Sequence, residues 1–204
     1  MTAMSLDQLS GGRFIVGLGA SGPQVVEGWH GVPYGKPVTR TKEYIKIMRR
    51  IFDREGPVEF DGKMYQMPYK GEGATGLGKP LKSILASTQS IPIYTASITP
   101  AGLRCAGEVA DGVFPVWMDP KRYDLIGDHL NEGFAKAGDG KDLSKFNVAP
   151  FVSVAMNDDL DAAFDSLRPW IALYVGGMGA RDKNFYFNYA TSMGFGDAAR
   201  KIQD

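Results

Sequence analysis

A strand that stops in glycine constrains this chain more than any other stretch. Phe14, Ile15 and Val16 are the apolar and β-branched residues that favour a strand, and Gly17, Gly19 and Gly22 then remove side chains where the strand ends. Backbone is thereby open to a ligand. The spacing Gly17-x-Gly19-x-x-Gly22 also matches the dinucleotide fingerprint, but that fingerprint requires the third glycine to sit inside a helix. Pro23 follows at once, and Gly28, Gly31, Pro33, Gly35 and Pro37 crowd the next positions, so no helix is expected to open there. The reading retained is a ligand-facing loop at the C-terminal end of a strand.

Around this stretch the pattern alternates. Met1 to Leu9 reads as the end of a helix terminated by Ser10-Gly11-Gly12, and residues 41–54 form a helix with Tyr44, Ile45, Ile47, Met48, Ile51 and Phe52 mostly on one face. Lys42, Lys46, Arg49, Arg50 and Arg54 read as its mostly solvated face. Residues 57–90 leave the alternation and mark an insertion. It opens with a hairpin that turns on Asp61-Gly62, and a glycine-rich segment, 71–78, leads to Lys79 and Lys82. Those lysines suit either an anionic tail or a solvated surface loop. Strands are then expected at 91–98, 113–116 and 146–156. Helices follow from Thr99-Pro100 to about Ala110, from Asp119-Pro120 to near Gly138, and from Leu160 to Tyr174, the last kinked or divided at Pro169. A final helix is rich in aromatics at Phe185, Tyr186, Phe187 and Tyr189. Four strands alternating with helices imply parallel pairing and right-handed crossovers: half of an eight-stranded (β/α) barrel, or a small open sheet.

Composition narrows the function classes. The 204 residues are 44% hydrophobic, enough for one sizeable core, and 23 basic residues balance 23 acidic ones. An even balance argues against a nucleic-acid or membrane-surface partner. No apolar run reaches the roughly 20 residues of a membrane helix, and the N-terminus lacks a signal peptide's regions, so a cytoplasmic location is expected. The single cysteine, Cys105, excludes an internal disulfide and reads as a small core residue in a helix. No Cys/His cluster has metal-ligand spacing, so no metal is expected.

Several stretches in order carry a family resemblance. Leu6 to Phe14 with Gly17-Leu18-Gly19 resembles the fourth strand and preceding helix of the bacterial-luciferase-like superfamily. Residues 21–31 and 74–83 are similar to its subgroup of oxidoreductases that use the deazaflavin coenzyme F420. Ala106 to Gly112 and Leu173 to Gly179 fit the same family, so the likeness covers essentially the whole chain. The resemblance implies one partial TIM barrel over residues 1–204, holding strands four to seven with the insertion after the fourth, and truncated at both ends. On its own such a fragment is expected to be inactive and either insoluble or dimer-forming. The full-length protein is expected to be an oxidoreductase, and a homo-oligomer, moving a hydride between coenzyme F420 and a small organic substrate. The alternatives are an FMN-dependent monooxygenase of the same superfamily and a non-catalytic half-barrel.

In such a barrel, ligands sit at the C-terminal ends of the strands. The resemblance makes Gly19, Ala20, Ser21, Gly22 and Gln24, with Thr95, Ala96, Ser97, Ile98 and Thr99, the walls for the coenzyme ring and its phosphate arm. Small residues there let a flat ring lie against backbone. Lys79 and Lys82 are the cationic candidates for the coenzyme's anionic tail. For catalysis the candidates are His30 and Trp29, beside the proposed ring site, and Trp117, an apolar substrate wall directly after a strand. His30 reads more readily as a hydrogen-bonded loop residue.

Overall fold

The computed structural model of the chain describes residues 1–180 and 183–204. Helix α1 (Thr2–Ser10) ends at Gly11, whose φ of 64° lies in the left-handed region that glycine enters without a Cβ penalty. Strand β1 (Val16–Leu18) follows, then α2 (Pro23–Gly28) and α3 (Pro37–Asp53). Helix α2 corrects the expectation that Pro23 prevents a helix. At the first helical position proline gives up an N–H that has no intrahelical partner anyway, and its φ is already helical. Gly22 caps this six-residue helix rather than entering it.

In the insertion, β2 (Phe60–Asp61) pairs antiparallel with β3 (Gln66–Met67). The turn between them runs from Gly62 to Tyr65, closed by the Gly62 N–H donating to the Tyr65 carbonyl at 2.9 Å, and is not the two-residue Asp61-Gly62 turn expected. The buried carboxylate of Glu43 on α3 explains the difference. It accepts hydrogen bonds from the amides of Lys63, Met64 and Tyr65 at 2.7, 2.8 and 3.0 Å, so the turn wraps around it. Asp7 anchors the other end of the insertion: fully buried, it accepts from the Thr88 amide at 2.6 Å and the Thr88 hydroxyl at 2.8 Å.

The alternation resumes with β4 (Ile93–Thr95), α4 (Pro100–Val109), β5 (Gly112–Val113), α5 (Asp124–Ala137), β6 (Asn147–Val148) and α6 (Leu160–Ala172). A five-residue π turn (Leu173–Gly177) extends α6, so the helix continues through Pro169 and the winding changes only afterwards. The last helical region is two short helices, α7 (Phe185–Ala190) and α8 (Gly196–Gln203), broken at Gly194 with φ 96°. Strands β1, β4, β5 and β6 form one parallel sheet in that order, with Val16 opposite Ile93, Thr95 opposite Val113, and Val113 opposite Val148. All four therefore release their loops at one end of the sheet.

The strand expected over 146–156 is shorter than that. Pro115 and Pro150 supply no N–H, so the ladder beyond Val148 reduces to a single bridge between Val116 and Phe151, and Phe151, Val152 and Val154 stay exposed. Nor is the basic face of α3 simply solvated. Lys42 pairs with Glu108, Arg49 with Asp111, Arg50 donates to the Glu59 carbonyl, and Arg54 donates to the Ser83 carbonyl at 2.9 Å.

Two cores hold the sheet. Met4, Ile45 and Phe52 pack on Val16, Ile91 and Ile93, while Leu103, Ile126, Leu130 and Phe146 pack around Val113. Each fully buried Leu or Ile contributes roughly 1.5–3 kcal/mol. Between α4 and α5 the backbones touch. A Cβ on Gly107 would lie 2.5 Å from the Leu130 carbonyl oxygen, and one on Gly133 would lie 2.8 Å from the Gly107 Cα. Gly107→Ala or Gly133→Ala is therefore expected to cost about 2–3 kcal/mol through overpacking against backbone, read as a lower urea midpoint with an unchanged slope.

Glu43 adds an acid-sensitive anchor. Burial pushes its carboxyl up, but the hydrogen bonds from the Met64, Lys63 and Tyr65 amides together outweigh this and hold it below its ordinary 4.5. Its contribution is thus complete above the ordinary value and lost as pH falls through the lowered one. Glu43→Gln should cost about 1–3 kcal/mol at pH 7. In urea unfolding the gap between the two proteins should narrow at pH 3.

Candidate functional site

A cavity of about 750 Å³ opens at the C-terminal ends of β1 and β4. The loop after β1 supplies Gly19, Ala20 and Ser21, and β4 with its loop supplies Thr95, Ala96, Ser97, Ile98 and Thr99. The two loops run side by side because both are small: a Cβ on Gly19 would stand 3.6 Å from that of Ala96, ordinary contact. Ser21 holds φ at 56°, a conformation that non-glycine residues take up only where neighbours enforce it. Tyr34 is one such neighbour, its hydroxyl donating to the Ser21 carbonyl at 3.2 Å. The start of α3 and, from the far end of the chain, Phe185 and Tyr186 of α7 complete the wall.

The floor is the first turn of α4. Thr99 caps it, its side chain accepting from the Gly102 amide at 3.2 Å, and Pro100 occupies the first helical position. A Cβ on Gly102 would lie 3.0 Å from both the Ser97 and Thr99 hydroxyl oxygens, so glycine is what lets the two crowd this turn. The positive end of the helix dipole thus faces the cavity with hydroxyls beside it. Thr95 is 3% exposed, and among the described residues its hydroxyl oxygen finds no hydrogen-bond partner. Burying a hydroxyl without a partner is costly, so this group keeps an unmet capacity to hydrogen-bond at the cavity.

The titratable groups of the wall are neutral at pH 7. Burial pushes the Cys105 thiol up to about 11, and burial likewise raises Tyr34 and Tyr186. Cys105 is therefore a packed wall atom and not a nucleophile.

Eight of the expected binding residues, Gly19 to Ser21 and Thr95 to Thr99, come together here. Gly22 and Gln24 lie next to the cavity without lining it. Gln24 instead reaches across to Gly179, where a Cβ would meet its Nε2 at 2.9 Å. Lys79 and Lys82 do not line the cavity either: both are exposed, and Leu81 between them bridges Val58, beyond the opposite end of α3. Trp29 and His30 are exposed at the end of α2 and face neither loop's cavity surface. Trp117 sits with φ 52° in an aromatic cluster, its ring centroid 5.3 Å from Trp170, 6.2 Å from Tyr174 and 5.4 Å from Tyr186. It lines a second, apolar cavity of about 490 Å³ with Ile171, Val175 and Met193. Sequence reasoning missed Tyr34, Phe185 and Tyr186. Aromatic side chains at helical spacing announce a buried face, and nothing local says which cavity that face meets.

Among the described residues, no helix is long and apolar enough to cross a membrane, and no group of three or more His, Cys, Asp or Glu could hold a metal ion. Two solved structures share the fold: an F420-dependent secondary alcohol dehydrogenase in complex with an F420–acetone adduct (TM-score 0.72, 23% identity, 98% of this chain and 58% of that one), and the coenzyme F420-dependent tetrahydromethanopterin reductase of Methanopyrus kandleri (TM-score 0.71, 24% identity, 99% and 61%). The parallel sheet and its helices are accordingly part of a TIM barrel. A Mycobacterium tuberculosis protein, provisionally named a coenzyme F420-dependent oxidoreductase, is 44% identical over 196 residues, 96% of this chain and 56% of its own length. The 5,10-methylenetetrahydromethanopterin reductase of Archaeoglobus fulgidus is 31% identical over 173 residues, 85% of this chain and 47% of its own. The chain spans about half the length of the curated relatives it matches. The family described as luciferase-like monooxygenase matches residues 1–204 from end to end, and the chain belongs to that family.

Proposed function

We propose that this chain carries the coenzyme F420 site of an oxidoreductase that moves a hydride between the coenzyme and a small organic molecule. The observation that carries the reading is the 750 Å³ cavity, where an unpartnered, buried Thr95 hydroxyl lies beside backbone laid bare by Gly19 and Ala96. Those features fit a flat, polar ring with an anionic arm. The name of the relative at 44% identity supports the choice of F420.

The coenzyme, when bound, supplies the carbon that gives or takes the hydride. The chain's own residues bind, orient and exclude water. Gly19, Ala20 and Ala96 give the ring a wall without side chains, and the Thr95 hydroxyl gives it a hydrogen bond. The N-terminus of α4, with Ser97 and Thr99, suits the phosphate of the arm. Phe185, Tyr186 and the neutral Cys105 keep the opposite wall apolar, which strengthens every hydrogen bond inside. No general acid is assigned, because His30 stands outside the cavity.

The family's description as a monooxygenase favours one second reading, an FMN-dependent enzyme using the same cavity. Titrating the chain with F420 and, separately, with FMN distinguishes the two by the absorbance of the bound form. Saturable binding of F420, weakened about fivefold to tenfold by Thr95→Val, is expected, corresponding to one lost hydrogen bond. Binding of FMN with no binding of F420 would transfer the site to the monooxygenase reading. Binding of neither would leave a non-catalytic half-barrel.

A further inference from the structure

The aromatic wall of the cavity hangs on one side chain. Asn184 is fully buried, and both ends of its amide are used. Its Nδ2 donates to the carbonyls of Tyr174 at 2.9 Å and Val175 at 3.0 Å, in the π turn that extends α6. Its Oδ1 accepts from the amides of Tyr186 and Phe187, both at 2.9 Å, and so caps α7. The Val175 carbonyl also accepts from the Gln203 side chain of α8 at 3.0 Å. Three helices therefore meet at one turn.

Those bonds reach the cavity through Tyr186, and the backbone of Asn184 also stands beside the loop on which Gln24 rests. Tyr186, whose amide Asn184 holds, lines the cavity and stacks edge-on against Tyr174 at 4.7 Å and Trp117 at 5.4 Å. Tyr174 is one of the residues whose carbonyl Asn184 binds. Gly179, where a Cβ would lie 3.7 Å from the Asn184 Cα, is the surface on which Gln24 rests, and Gln24 belongs to the helix that follows the β1 loop. A π turn departs from the α-helical ladder, and here side-chain donors add to the bonds at its Tyr174 and Val175 carbonyls.

We propose that Asn184 is a positioning residue: its two donated bonds lock the π turn against α7 and thereby set Tyr186 and Phe185 at the wall of the coenzyme cavity. The inference rests on the proposed function for the identity of the ligand, while the geometry it describes does not. Its force lies in the donors. An N-cap needs an acceptor alone, and Asp and Ser serve there as well as Asn. Asn184→Asp keeps the acceptor and turns both donors into carboxylate oxygen facing carbonyls. Asn184→Ser keeps an acceptor and is too short to reach Tyr174 and Val175.

Both variants of the 204-residue chain are compared with the parent by far-UV and near-UV circular dichroism and by F420 titration. The expected result is a near-parental far-UV spectrum, loss of the near-UV signal of the Trp117, Trp170, Tyr174 and Tyr186 cluster, and at least a tenfold weaker F420 affinity. Should one variant fail to fold, the other still decides. Loss of folding in both would overturn the proposal by making Asn184 a requirement of the fold rather than of the wall. Parental near-UV spectra, with F420 affinity within twofold, would reduce it to an ordinary cap. If the parent itself does not bind F420, the proposed function fails, and the near-UV comparison alone judges the positioning role.

Discussion

Glycine against glycine, at Gly107 and Gly133, is the contact on which the sheet depends. The registered strands here are two or three residues long, and ladders that short cannot fix their own spacing. Helices α4 and α5 fix it for them, since each crosses between consecutive strands and the two are in backbone contact. With β4, β5 and β6 so held, β1 pairs on the free edge of β4, and the loops leaving the two strands stand close enough for Gly19 to meet Ala96.

The insertion is ordered by a different means. Few of its residues join a ladder, yet its backbone still needs partners. Two buried carboxylates provide them, Glu43 for the hairpin turn and Asp7 for the segment at Thr88. In both cases a helix lends side-chain carboxyl oxygens to amides that have no backbone partner of their own.

The alternation of strand and helix was legible because each signal is local: a β-branched run, a cap followed by proline, a glycine at a helix end. The same holds for Gly19 to Ser21 and Thr95 to Thr99, since a loop after a parallel strand must lie at one end of the sheet. Where reading failed, a tertiary partner had overruled a local rule. Asp61-Gly62 carries the signature of a tight turn, but Glu43 draws the neighbouring amides into a wider one. Pro23 looks like a helix breaker and acts as a helix starter. Lys42 and Arg49 look solvated until α4 and the Asp111 corner are placed beside them. Phe185 and Tyr186 belong to the cavity only through a fold that brings α7 back to the loop after β1, which no periodicity encodes.

That return of α7 also orders events in time. Gly19 and Phe185 stand near opposite ends of the chain, so the cavity they share closes only after the intervening segments have folded and the entropy of bringing distant residues together has been met. The cores around Val16 and Val113 draw on nearer neighbours and need not wait for it. A ligand that bridges the two ends binds the completed chain and not its partly folded forms, so its occupancy draws the last-docked helices into the native state by mass action.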